Sequence, residues 1–351
     1  MALTPVITEE NIKKVSEFIG NSQKIVLITH ISPDGDAMGA ALAMYHYLTA
    51  LHKDATVIVP NRYAEFLAWM PGSNQIIVFK EMDGKATNIL KAADLLFAID
   101  FNAAKRADRM SALFPALNCK KILIDHHRDP EHFCDVIISH PAITSTSELI
   151  YRLICRMDGF ELITKACAEC IYTGMMTDTG AFTFNSNYPE IYQIISELLS
   201  KGIDKDDIYN KVYNTYSADR IRLMGFTLSE KMEILPDYHT AIITLSQAEL
   251  NWYNYQEGDT EGFVNIPLSI KGIVFSVLLK EIDSKEHESL IKLSLRSRGT
   301  FPVNEIASEY FNGGGHINAA GGECYTTMEE AVARLKSALP HFKQQLNELS
   351  K

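Results

Sequence analysis

Carboxylates and imidazoles recur in this sequence at one kind of place. The apolar run KIVLIT (residues 24–29) leads into His30 and then SPDGD, which carries Asp34 and Asp36. LLFAI (95–99) leads into Asp100, and KILI (121–124) leads into Asp125, His126 and His127. A fifth acid, Asp178, stands in GMMTDTG (174–180), where a helical pattern breaks off. Acids and imidazoles without thiolates make a hard to borderline donor set, suited to Mn2+ or Mg2+, with Zn2+ or Co2+ as substitutes. A DGD alone is a surface turn and a lone HH a solvated pair. Five acids and their histidines, all at the ends of expected elements, mark a metal and catalytic site instead.

The elements that must position them read as an α/β fold. Strands are expected at 24–29, 56–59, 95–99 and 121–124, separated by helices such as 8–19 and 37–51, and this alternation predicts a parallel sheet with right-handed crossovers. In such sheets ligands sit beyond the carboxyl ends of the strands, where three of these four runs place an acid or a histidine. Residues 145–148 (STSE) read as a capping box opening a helix at 149–156, with phosphate binding at that helix start as a second reading. From 189 to 235 the pattern is helical without a strand signal and reads as a connector. After Pro236 a strand-rich section begins, with strands expected at 238–245, 272–280 and 290–298 and helices at 303–311 and 328–349. The expected domains are thus 1–188, a metal-binding catalytic domain, and 236–351, a smaller α/β substrate-binding domain, joined by helices 189–235, with the active site in the cleft between them.

Length and composition agree. The chain has 351 residues, 46% hydrophobic and 22% charged, which suits two folded domains rather than a disordered or fibrous chain. A formal charge of −11 argues against binding a long polyanion, so duplex DNA is not an expected partner. Residues 1–14 show no basic start followed by an apolar run, and no apolar run approaches the roughly 20 residues needed to cross a bilayer. A cytoplasmic protein without a membrane partner is expected. The six cysteines read as reduced thiols, Cys167 and Cys170 being a packed pair in a helix at 164–172.

The strings THISPDGDAMGAALA, AIDFN, ILIDHH and GMMTDTGAF, in that order and spacing, resemble the four motifs of the DHH family of phosphoesterases. The later SLRS and GGGHINAAGG resemble the signature of the DHH-associated domain. The resemblance covers nearly the whole chain. It is strongest to bacterial two-domain bifunctional proteins that degrade very short oligoribonucleotides and remove the 3'-phosphate of 3'-phosphoadenosine 5'-phosphate (pAp).

The resemblance implies two divalent ions, Mn2+ by preference with Mg2+ or Co2+ as alternatives. His30, Asp34 and Asp100 would hold one, and Asp36, Asp100, His126 and Asp178 the other. Two ions held about 3.5–4 Å apart do need a carboxylate common to both. Asp125 is then expected behind the ligands, orienting a histidine ring or the loop. His127 is expected to contact the phosphate and stabilise developing charge, or to act as general acid, which with Asp100 makes the catalytic pair.

In residues 290–298 (LIKLSLRSR), alternation puts Ile291, Leu293 and Leu295 on one face and Lys292, Ser294, Arg296 and Arg298 on the other. The resemblance assigns phosphate binding to Arg296 and Ser297, and to Gly313, Gly314, Gly315 and His316 ahead of a helix expected at 317–320. Phe311 and Asn312 depart mildly from the family pattern. The expected activity is exonucleolytic hydrolysis of short single-stranded RNA, or of pAp, with a homodimer left open. Alternatives are linear di-adenylate or cyclic di-AMP hydrolysis, exopolyphosphatase or pyrophosphatase activity, and a non-catalytic nucleotide sensor. Two divalent ions would add four positive charges to the −11 of an acidic surface, locally and in the site, which favours a substrate of a few nucleotides over a long one.

Overall fold

The computed structural model describes residues 3–282 and 290–350. The chain forms two compact units, Met1–Thr215 and Tyr216–Lys351.

The first unit is built on a six-stranded parallel sheet. Its elements are α1 (Glu9–Asn21), β1 (Lys24–Ile28), α2 (Gly35–Ala50), β2 (Asp54–Val59), β3 (Ile77–Val78), α3 (Phe79–Lys91), β4 (Leu95–Ile99), β5 (Lys120–Asp125), β6 (Val136–Ser139), α4 (Thr146–Arg156), α5 (Lys165–Asp178), α6 (Pro189–Ser200) and α7 (Lys205–Tyr213). Strand order is β3-β2-β1-β4-β5-β6. The chain winds outward from β1 in one direction and from β4 in the other, so the switch point lies between β1 and β4, the strands that end before His30 and Asp100.

Near-continuous apolar strands such as β4, with all five residues buried, are what a parallel sheet covered on both faces requires. Ile25, Leu27, Leu95, Phe97, Ile99, Ile122 and Ile124 join the core on one face. Val26, Ile28, Leu96, Ala98 and Leu123, the residues in between, join the core on the other. Helix α2 is buried on nearly every side, Ala- and Met-rich, and packs against both the sheet and α5.

The second unit holds a mixed sheet of order β11-β12-β10-β9-β8-β7, with only β8 and β9 parallel. Its elements are α8 (Ala218–Glu230), β7 (Met232–Leu235), β8 (Thr240–Leu245), α9 (Gln247–Trp252), β9 (Phe275–Ile282), β10 (Leu290–Ser297), α10 (Val303–Tyr310), β11 (Gly314–His316), β12 (Ala319–Cys324) and α11 (Met328–Leu349). Among the described residues one core lies under α10 and α11, another on the opposite face of β8 and β9 under α8 and α9, and a small third cluster joins Ala241, Leu268 and Ile273.

Three sequence expectations change. The stretch 189–235 is not wholly helical, since its last residues pair as β7 with β8. Its helices divide, α6 and α7 packing in the first core and α8 beside the second sheet. Residues 317–320 do not start a helix: Gly314–His316 and Ala319–Cys324 form an antiparallel hairpin whose outer strand pairs with β10. Two edge strands were not expected, β3 and β6; β3 has only two residues, too few to leave a periodic signal.

Candidate metal centre

The first unit brings together His30, Asp34, Asp36, Asp100, Asp125, His126, His127 and Asp178, and the local chain explains how each is aimed. Asp34 caps α2: its Oδ1 accepts from the backbone N–H of Asp36 and Ala37, 3.0 Å each, so Oδ2 is the oxygen that turns to His30 Nε2, 3.8 Å away. Asp36 lies in the first turn of the same helix and is buried. Asp100 sits just past β4 with φ +65°, in the left-handed region where Asp is among the few tolerated side chains. That turn, anchored by its N–H to the Ile124 carbonyl, points the carboxylate across the end of the sheet.

The histidines are oriented by carbonyls behind them. His30 Nδ1 lies 2.8 Å from the Ile31 oxygen and His126 Nδ1 3.3 Å from the Ile143 oxygen. A carbonyl only accepts, so each Nδ1 carries the proton and, in the neutral ring, Nε2 presents a lone pair. Those lone pairs face carboxylate oxygens. His30 Nε2 is 3.4 Å from Asp100 Oδ2, and His126 Nε2 is 3.5, 3.7 and 3.9 Å from Asp178, Asp100 and Asp36. His30 Nε2 is buried and lacks a hydrogen-bond partner among the described residues. Acceptors converging at distances too long for good hydrogen bonds are what a shared cation would reconcile. Among the described residues such groups include His30 with Asp34 and Asp100, and Asp36 with His126 and Asp178, and Asp100 turns one oxygen toward each of these two. The donor set fits two hard divalent ions.

Charge in this pocket is strained in the direction a cation would relieve. Burial, then the charges of Asp100 and Asp178, push the Asp36 carboxyl well above the usual range. Burial works against the charged form of His126, but Asp178, Asp100 and Asp36 outweigh it and raise the imidazole to about 9. His30 also rises, burial again opposing and Asp100 and Asp34 prevailing. For Asp100 burial is outweighed by the His30 imidazole and then by His127 beside it, so it stays ionised far below its ordinary value.

Asp125, fully buried, accepts from His127 Nδ1 at 2.7 Å and so holds that ring rather than His126. Its other oxygen, Oδ2, has no partner among the described residues.

The STSE stretch differs from its expected form and matters more. Helix α4 begins at Thr146, with Ser145 as its cap, accepting from Glu148 N–H. Instead of closing a reciprocal box, Glu148 accepts from the N–H and hydroxyl of Thr144 and pairs with Arg152. Nor are the first amides of the helix turned to a phosphate. Thr146 N–H and Ser147 N–H donate to the two oxygens of Asp36 at 2.6 and 2.9 Å, and the Thr146 hydroxyl donates to Asp100 Oδ1 at 2.7 Å. Thr146 and Ser147 are site residues that sequence reasoning missed. The helix-start signal was readable, but not what lay opposite it.

Buried Arg152 continues this chain by pairing with Glu148 and Glu190 and donating to the Thr4 carbonyl. Arg152→Met strands the buried Glu148 carboxylate and is expected to destabilise the protein by about 3–5 kcal/mol. Thermal unfolding checks this: a melting temperature lower by roughly 10 °C is expected, partly recovered when Glu148→Gln is added. The buried Cys167 and Cys170 thiols are pushed up by burial, Cys167 to about 12, which makes them inert packing groups.

In the second unit, β10 alternates as expected, with Ile291, Leu293 and Leu295 buried and Lys292, Ser294 and Arg296 on the opposite face. Ser297 lies with the buried set; its hydroxyl donates to the Phe301 carbonyl and accepts from Asn318, tying the following turn together. Gly313, Gly314, Gly315 and His316 line the β11–β12 hairpin. A Cβ on Gly313 would stand 2.0 Å from the Gly321 carbonyl oxygen, so hairpin packing alone demands that glycine. Among the described residues no helix is long and apolar enough to cross a membrane.

Comparison with known proteins places this geometry. Residues 24–175 match the DHH family, N-terminal domain, and residues 245–348 match the DHHA1 domain. The bifunctional oligoribonuclease and PAP phosphatase NrnA of Thermus thermophilus is 30% identical over 298 residues, covering 85% of this chain and 83% of that one. Its Bacillus subtilis counterpart is 25% identical, covering 86% and 90%. The crystal structure of an exopolyphosphatase-related protein from Bacteroides fragilis is 54% identical, superposes with a TM-score of 0.92, and covers 98% of this chain and 100% of that one. With a parallel-sheet unit whose acids and histidines converge at the switch point, followed by a DHHA1 domain, the chain belongs to the DHH family of phosphoesterases.

Proposed function

We propose that the protein is a two-metal hydrolase of short oligoribonucleotides and pAp, with Mn2+ as its preferred ion. The observation that carries this reading is the Asp100 carboxylate, which faces both the His30–Asp34 pair and the Asp36–His126–Asp178 group. Bound by those residues, two divalent cations would supply Lewis acidity toward a phosphoryl group and generate a nucleophile from water at neutral pH.

The remaining roles belong to the chain. Asp125 keeps the His127 proton on Nδ1, so in the neutral ring Nε2 accepts, and the protonated ring donates toward a phosphate oxygen. Arg296, with its planar fork, and His316 hold a terminal phosphate of the substrate. Gly314, whose Cβ position is open, allows an anion to approach the backbone, whereas Gly313 and Ser297 act by shaping the hairpin and turn beside them. The NrnA relatives support the substrate class, and the formal charge of −11 supports substrates of a few nucleotides rather than long chains.

Side-by-side hydrolysis of pAp, two- to five-nucleotide RNA, linear di-adenylate, pyrophosphate and polyphosphate in Mn2+ tests the reading. Turnover of pAp and short RNA is expected, abolished by EDTA and restored by added Mn2+. Preference for polyphosphate would favour the activity in the name of the Bacteroides relative. Turnover unaffected by chelation, or binding of all five without turnover, would sink the proposal.

A further inference from the structure

The hydroxyl of Thr146 is not needed where it stands for any ordinary helical purpose. Ser145 already caps α4, and Thr146 is its first residue. Its side chain is fully buried and donates to Asp100 Oδ1 at 2.7 Å, while its own N–H donates to Asp36 Oδ2 at 2.6 Å. One residue therefore touches a carboxylate from each of the two candidate ligand groups.

We propose that Thr146 is a positioning residue of the metal centre, its hydroxyl setting the rotation of the Asp100 carboxylate so that one oxygen faces each group. This rests on the two-metal reading above. A carboxylate turns broadly about its last side-chain bond, so packing alone does not choose which oxygen faces where. A donor on Oδ1 does choose. It occupies one lone pair of that oxygen, leaves the other toward His126 Nε2 at 3.7 Å, and thereby directs Oδ2 toward His30 at 3.4 Å.

The donor itself is stiff, because a β-branched side chain in a helix has few rotamers and the amides of Thr146 and Ser147 are pinned to Asp36. Asp100 and Thr146 are at most 2% exposed, so water does not compete for the bond. Asp100 also depends on such support more than an acid in regular structure would, since its backbone is held at φ +65° at a chain turn. The Thr146 residue thus couples the two halves of the site: moving α4 moves Asp36 and Asp100 together.

Mn2+ binding to the full chain, measured by calorimetry and by the electron paramagnetic resonance of the bound ions, tests this without recourse to activity. Thr146→Val keeps the shape and both amide bonds but removes the hydroxyl; Thr146→Ser keeps the hydroxyl. The expected result is wild-type affinity within about threefold for Ser, and a loss of roughly 10- to 100-fold for Val, with weakened spin coupling between the two ions. Val binding as tightly as wild type, or Ser losing as much as Val, would overturn the proposal. Should Val not fold, Ser against Thr146→Ala decides in the same way, with loss expected for Ala alone. Absence of paired Mn2+ in the wild-type protein would instead defeat the two-metal reading, and is distinguished because it precedes any variant.

Discussion

Asp100→Asn is expected to lower hydrolysis of pAp and short RNA by at least about 10³-fold, on the order of 4 kcal/mol of transition-state stabilisation, while the fold persists. The substitution suits the structure in every respect except charge. Asn is, with Asp, among the side chains most at ease at φ +65°. Its carbonyl oxygen accepts from the Thr146 hydroxyl as Asp100 Oδ1 does, and its NH2 donates to His30 Nε2, which lacks a partner among the described residues. The metal-free variant should therefore melt no lower than the wild type. What it loses is the one negative charge that faces both ligand groups. Mn2+, expected to stabilise the wild type by binding only its folded state, should leave the melting temperature of the variant nearly unchanged. Retention of more than a tenth of wild-type activity, together with the Mn2+-induced shift, would refute the central role of Asp100.

Gly174→Ala should act through geometry instead. Helices α2 and α5 approach so closely that a Cβ on Gly39 would lie 2.6 Å from the Cys170 carbonyl oxygen and 2.8 Å from Gly174 N. On Gly174 it would meet Ser147 Oγ at 1.9 Å and Asp36 Oδ1 at 2.9 Å. The Ser147 Cβ, 2.7 Å away whatever its hydroxyl does, and a pinned carboxylate leave the methyl group no relaxation that spares the site. We expect a loss of about 3 kcal/mol, the upper part of the range for overpacking, and a melting temperature lower by roughly 6–12 °C. Because Asp36 must yield, Mn2+ affinity and turnover should fall too, which a remote overpacked position would not cause. Gly84→Ala is the control: it lies in α3 with nothing within 4 Å of the added methyl group, and should raise stability by about 0.5–1 kcal/mol. Equal melting temperatures for the two variants would contradict the close-packing account.

The fold of the first unit was legible because its strands are buried on both faces and so read as uninterrupted apolar runs. The hairpin at Gly314–Cys324 was not. Its strands are short and rich in glycine and alanine, and only pairing with β10, more than twenty residues away for most of its length, makes them strands. In the same way β7 ends a run of helical pattern, and its strand character comes from β8.

Residue types and their places, after the strands or, for Asp178, at a helix end, were enough to pick out His30, Asp34, Asp36, Asp100, Asp125, His126, His127 and Asp178, which the fold brings together, because a metal site needs particular chemical groups and open α/β sheets put ligands at strand ends. Only the tertiary structure decided how the Asp100 carboxylate, which the family resemblance put in both groups, is turned, that Asp125 serves His127, and that the start of α4 holds acids of the site rather than a phosphate. Those are facts of orientation. They depend on hydrogen bonds between residues up to 111 positions apart, whose partners no local spacing encodes.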